Sequence, residues 1–164
     1  MYAIGDKIAH PLHGAGTVDA IVTQKVGGVP IVYYAISLPG SGMNVMVPVE
    51  TADRIGIRPV VSPEEAERVL SLFDEKEKHV TANWNTRYRE NLARIKTGRL
   101  EEVAKVIKVL TKCDYDKGLS GGERKMLYNA RLILVSEIAL VKGVPYEEID
   151  AQITRVMQKH YLNI

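Results

Sequence analysis

Trp84 is the only tryptophan in a chain of 164 residues, and it stands between Asn83 and Asn85 with Arg87 and Arg89 close behind. A large apolar ring beside phosphate-seeking cations is the combination that exploits an unstacked base step in a minor groove, the ring as a wedge and the cations on the backbone. The surrounding charge points the same way. Residues 76–112 carry ten lysines and arginines against four glutamates, an excess of six, while the whole chain has a net charge of only +2. Residues 1–60 are balanced, with Lys7, Lys25, Arg54 and Arg58 against Asp6, Asp19, Glu50 and Asp53. Focused charge raises the local concentration of polyanions in a way that a diffuse +2 does not. The competing reading of the same residues is structural. Trp84, Tyr88, Leu92 and Ile95 fall on one helical stripe, which is ordinarily core, and Arg87, Arg94, Lys105 and Lys108 then form a solvated helix face.

Other chemistry-bearing residues give less. Leu119-Ser120-Gly121-Gly122-Glu123 has the look of an ATP-binding cassette signature, yet the chain has no phosphate-cradling Gly-rich loop ending in Gly-Lys-Ser/Thr. A helix cap explains both its Ser and its Glu through satisfaction of orphan amides. Gly14-Ala15-Gly16 lacks the helix and acidic residue of a dinucleotide site and reads as a turn or bulge. His10, His13, His79 and His160 are scattered, and His10 with His13 is a weak metal hint without Cys or carboxylate partners. Cys113 reads as an ordinary semi-buried thiol. The pairs Glu64-Glu65, Glu101-Glu102 and Glu147-Glu148 each fall in a helix first turn and complement the macrodipole. No catalytic constellation, metal site or cofactor site emerges, which argues against an enzyme.

Composition sets the frame for these residues. With 46% hydrophobic residues the chain can bury a core, as one ordinary domain or two small ones. A lone cysteine permits no internal disulfide and fits a reducing, cytoplasmic setting. Neither a basic-then-apolar leader nor an apolar run near the ~20 residues of a membrane span is present.

The period of the sequence changes along the chain. Residues 1–60 are punctuated by Pro11, Gly14, Gly16, Gly27-Gly28 and Pro39-Gly40-Ser41-Gly42, and the runs Thr17 to Thr23, Ile31 to Leu38 and Val45 to Val49 between them are β-rich. A strand-like Gly5 to Ile8 segment precedes them. Short strands and tight turns predict a small curled antiparallel sheet or barrel, whose open edge can accept a partner's strand. From residue 62 the period becomes helical. Ser62-Pro63-Glu64-Glu65 and Ser120 to Glu123 read as capping boxes. Helices are predicted from about Asn83 to Gly98, from Arg99 to about Lys112, from Ser120 to Gly143 and from Pro145 to near His160. Met126, Ala130, Leu132, Leu134, Ile138 and Leu140 supply core. The fold class is therefore α+β, with a boundary near residues 57 to 62.

Several motifs in this order resemble one family. Ile4-Gly5-Asp6-Lys7-Ile8 with His10-Pro11-Leu12-His13-Gly14, Val47-Pro48-Val49-Glu50 with Ile55-Gly56-Ile57-Arg58, Asn83-Trp84 with Arg87-Tyr88-Arg89, and Gly118-Leu119-Ser120 with Glu123 are similar to bacterial CarD/CdnL transcription regulators over nearly the whole chain. The resemblance implies a Tudor-like module at residues 1–60, like the polymerase-binding module of transcription-repair coupling factors, that docks on the RNA polymerase β subunit. It implies a helical domain of about five helices at residues 61–164 that touches promoter DNA, largely independent of sequence, at the upstream edge of the melted region. Carried over, Trp84 is the wedge, and Arg87 and Arg89 are its neighbouring basic DNA contacts; Arg94, on the same basic segment, is expected to join them on the backbone. Gln24, Met46, Val47 and Pro48 fall in the polymerase-binding half, where some relatives carry arginines in place of Gln24 and Met46. The resulting expectation is a non-enzymatic, cytoplasmic cofactor of polymerase that stabilises the open promoter complex and is monomeric when free, with a domain-swapped dimer left open. The alternative is a generic protein-interaction module with Trp84 in the core and no DNA contact.

Overall fold

The structure, a computed structural model, describes residues 1–162. Its first part is one antiparallel sheet of β1 (Lys7–His10), β2 (Gly14–Val26), β3 (Val29–Leu38), β4 (Met43–Pro48) and β5 (Arg58–Pro59), in the order β4-β3-β2-β1-β5. Gly27 and Gly28, with φ of +60° and +83°, form the two-residue turn joining β2 to β3, a geometry that requires left-handed backbone at both positions. Strand alternation sends Ile8, Val18, Tyr34, Ile36, Leu38 and Val47 inward, where Ala52 and Ile57 complete a small core. The register shifts between Val18 and Ala20, a bulge that bends the long β2 strand.

Several strand bounds differ from the expected ones, and two of the differences have a visible cause. β2 begins at Gly14 and not Thr17, because Gly14 to Thr17 pairs with β1 and Gly16 lies so close to the Ser37 carbonyl that no Cβ would fit. Val49 leaves the sheet after Pro48 and enters a short 3-10 turn (Val49–Thr51) that leads into α1 (Ala52–Ile55).

The helical part comprises α2 (Pro63–Ser71), α3 (Trp84–Lys96), α4 (Leu100–Asp116), α5 (Gly121–Lys142) and α6 (Tyr146–Tyr161). Their starts follow the local chemistry. Ser62 Oγ accepts the Glu65 amide (3.1 Å), Asn83 Oδ1 the Thr86 amide (3.0 Å) and Ser120 Oγ the Glu123 amide (3.2 Å). Gly98 and Gly143 adopt positive φ (+71° and +68°) just beyond α3 and at the end of α5. Phe73, Ile107, Leu110, Leu134, Ile138, Ile149 and Ile153 form the centre of a second core. No helix of the described residues is long and apolar enough to cross a membrane.

α5 joins the two parts. The Ala15 amide donates to Ser136 Oγ at 3.0 Å. Beside it, Arg58 grips the fully buried Glu137 with two hydrogen bonds, Nη1 to Oε2 at 2.7 Å and Nη2 to Oε1 at 2.8 Å. Glu137 also accepts the Val61 amide (2.9 Å), and Arg58 Nε and Nη2 donate to the Gly98 carbonyl at 3.3 and 3.1 Å. One carboxylate thus ties β5, the entry to α2 and, through Arg58, the α3–α4 junction.

Candidate nucleic-acid interface

α3 places Trp84 at its first position, immediately after the Asn83 cap. The indole is 45% exposed and lies outside the core, so the stripe reading of Trp84 as core does not hold. Burial instead rises along the helix: Tyr88 and Leu92 are half-buried and only Ile95 is buried. The stripe dips into the core at its C-terminal end and leaves its largest ring in the open.

The ring is nevertheless fixed. Its Nε1–H donates to Ser120 Oγ at 2.9 Å, and Tyr88 stacks on it with centroids 5.7 Å apart and planes inclined by 26°. A polar tie at one edge and an aromatic neighbour on one face together define its orientation. Gly122, in the first turn of α5, lies beside the Tyr88 ring.

Beneath the indole, Arg87 donates from Nε and Nη2 to Glu123 at 2.7 and 2.8 Å, and from Nη1 to the carbonyls of Thr81 and Ala82 at 3.0 and 3.3 Å. Glu123 is 1% exposed, and its hydrogen bond raises the Arg87 pKa above the ordinary value. This overturns the capping-box reading of Glu123: Ser120 caps α5, while the glutamate carboxylate serves Arg87. The reason is burial, since an internal carboxylate is far better satisfied by a bidentate guanidinium than by one amide. Behind this pair sits Cys113, whose thiol pKa burial raises, so it is a poor nucleophile at neutral pH.

The predicted cations therefore differ in state. Arg87 is engaged by Glu123 and the chain segment before α3. Arg94 is half-buried, donating to Asn91 Oδ1 at 2.8 Å and lying 4.0 Å from Glu102. Arg89 is exposed, with no hydrogen bond or ion pair among the described residues. Sequence reasoning missed Ser120 and Tyr88 as the supports of Trp84. The cap spacing made Ser120 visible, but nothing local marks its contact with a ring 36 residues away.

In the sheet, β4 is an edge strand paired on one side only, to β3. Met46 opposite Ala35 and Pro48 opposite Tyr33 lie on the face turned away from the core, and Met46 is 42% exposed. Alternation along β2 and its pairing with β3 put the exposed Gln24, opposite Ile31, on that same face. Val47 points the other way and is buried in the core, so among the four predicted polymerase-binding residues it offers only backbone. Among the described residues, no three His, Cys, Asp or Glu side chains gather to hold a metal ion. His10 and His13 lie beside each other with rings tilted by 38°, 4.5 Å between centroids, and His10 Nδ1 accepts the Leu12 amide at 3.1 Å.

A family model described as CarD-like/TRCF RID domain matches residues 2–61, and one described as CarD, C-terminal domain matches residues 68–154. A Bacillus subtilis (strain 168) protein described as "Putative transcription factor YdeB" is 35% identical over 151 residues, an alignment spanning 92% of this chain and 99% of that one. The solution structure of the 72-residue N-terminal domain of Myxococcus xanthus CarD is 30% identical to this chain, with a TM-score of 0.32, over 36% of this chain and 79% of that domain.

Proposed function

The chain belongs to the CarD family of transcription factors, and from that premise we propose that it binds the RNA polymerase β subunit and stabilises the open promoter complex. In this reading residues 1–60 dock on polymerase through the free edge of β4, with Met46, Pro48 and Gln24 on the contacting face. Strand addition draws its affinity from backbone pairing and tolerates variation in side chains. Residues 61–164 then carry the DNA surface.

Trp84 fills the widened minor groove at the upstream edge of the bubble and slows its collapse. Arg89 holds the backbone, Arg94 adds a charge partly offset by Glu102, and Arg87 acts mainly by fixing the start of α3 against Glu123. Tethering raises the effective concentration of a weak and largely sequence-independent DNA surface, so modest contacts suffice. The protein acts as a monomer, in the cytoplasm where the promoter complex forms, without catalysis or cofactor.

One observation carries the reading: an exposed indole held in a set orientation by Ser120 and Tyr88. An immobilised apolar ring in a basic segment loses little entropy on insertion. The test is the lifetime of a competitor-challenged open complex with cognate polymerase and no factor, wild-type protein or Trp84→Ala. The wild type should lengthen it and the folded variant should not. Equal action by both proteins would remove the wedge from the mechanism.

A further inference from the structure

The excess charge of the helical part does not stop at Trp84. On α3, Asn85, Arg89, Ala93 and Lys96 share one exposed face, spaced four, four and three residues apart. No carboxylate lies on that face. Arg89 and Lys96 have no ion pair among the described residues. The face runs for about 18 Å from the Trp84 end of the helix, at ~1.5 Å per residue.

It ends at a cleft between the two parts of the molecule. Four cations line that cleft: Arg54 and Arg58 from the sheet part, Lys96 and Arg99 from the helical part. Two carboxylates line it as well, Glu65 and Glu101. Arg58 is held by the buried Glu137, and Arg99 by Glu101 at 2.5 and 3.0 Å. Arg54 and Lys96 are exposed, border the same cleft, and lack an ionic partner among the described residues. Glu65, half-buried at the same opening, has no ion pair among the described residues either, so the charges left free are Arg54 and Lys96 against Glu65, an excess of one cation that favours an anion there.

We propose that this cleft is the far end of the DNA surface. A duplex arm whose junction meets Trp84 runs along the Arg89–Lys96 face, and its phosphates pass between Lys96 and Arg54. Arg54, on the module assigned to polymerase docking, thereby contacts DNA. The proposal rests on the reading of Trp84 as a DNA wedge and extends it to a second module. Charge complementarity, and a face that starts at the Trp84 end of the same helix, favour DNA over a small anion. At ~3.4 Å per base pair, the 18 Å face covers about five base pairs before the cleft is reached.

The test is titration of the full-length protein with labelled fork DNA at several salt concentrations. Two forks are compared, with duplex arms of about 12 and about 4 base pairs, using wild type, Arg54→Ala, Lys96→Ala and Trp84→Ala. On the long arm, Arg54→Ala and Lys96→Ala should each reduce the slope of log K against log salt by about 1, uniformly across sequences. On the short arm Arg54→Ala should bind like wild type. Unchanged slopes for both variants, with Trp84→Ala still weakened, would overturn the cleft proposal and leave the wedge standing. Fork binding insensitive to all three substitutions, or absent in the wild type, would overturn both. Pyrophosphate binding that Arg54→Ala abolishes, with DNA binding intact, would reassign the cleft to a small anion and overturn it too.

Discussion

Ser120 Oγ receives two hydrogen bonds, one from the Glu123 amide that starts α5 and one from the Trp84 indole at the start of α3. A single hydroxyl therefore orients the wedge and caps the helix beside it. Ser120→Ala should cost about 1 kcal/mol for the lost cap and free the ring edge. Because Trp84 is the only tryptophan, its fluorescence reports this directly: the substitution should lower steady-state anisotropy while emission stays that of an exposed indole.

Arg87 and Arg89 are two residues apart and should behave oppositely. Arg87→Ala strands a carboxylate that is 1% exposed, a loss of about 3–5 kcal/mol in urea unfolding. Arg89→Ala removes an exposed, unpaired cation and should leave stability within about 0.5 kcal/mol. It should nevertheless weaken DNA binding and lower its salt slope by about 1.

Glu137 makes the same argument between the two parts of the molecule. Arg58→Ala leaves Glu137 with only the Val61 amide. The expected cost in denaturant melts is about 2–4 kcal/mol, below the full value for a buried pair because Arg58 keeps a third of its side chain in water. Glu137→Gln, which retains hydrogen-bonding capacity, should cost less.

Neighbouring residues on β4 give a third contrast. Met46→Glu falls on the open face of the edge strand and should leave the melting temperature nearly unchanged while abolishing capture by RNA polymerase. Val47→Glu puts a charge into the core beside Tyr34 and Ile36 and should unfold the sheet.

His10 introduces a pH dependence. Burial first, and the charge of neighbouring His13 second, push its pKa down to about 4. The unfolded value is near 6.5, so the unfolded chain binds the extra proton between these two limits. Stability is complete above about pH 6.5 and declines as pH falls toward 4, by at most about 3 kcal/mol. His10→Gln should flatten that portion of the curve, read as the difference between the two proteins in urea melts at pH 7 and pH 4.5.

Local signals made much of this molecule legible. Ser62, Asn83 and Ser120 cap helices through their own near neighbours, and Gly27-Gly28 fixes a hairpin by backbone sterics alone. The limit appears at Glu123 and Glu137. Each was visible as a glutamate on a helix, yet its partner lies 36 or 79 residues away. Spacing along the chain encodes period and caps, while a buried carboxylate chooses its guanidinium in three dimensions. The exposure of Trp84 was hidden for a related reason: a stripe states which face turns inward, and only packing decides where along the helix that face meets the core.

The tie through Glu137 has a mechanical consequence. Because Arg58, Val61 and Gly98 converge on one buried carboxylate or its partner, the part that carries the edge strand β4 is tied to the part that carries the Trp84 ring, as two arms of a caliper are tied at their joint. Under the proposed function, polymerase fixes one arm and the other must close at a set position on the promoter. Shifting the duplex–bubble junction by one base pair moves it about 3.4 Å away from the indole. Promoters would then be sorted by where they melt relative to polymerase, by a protein that reads none of their bases.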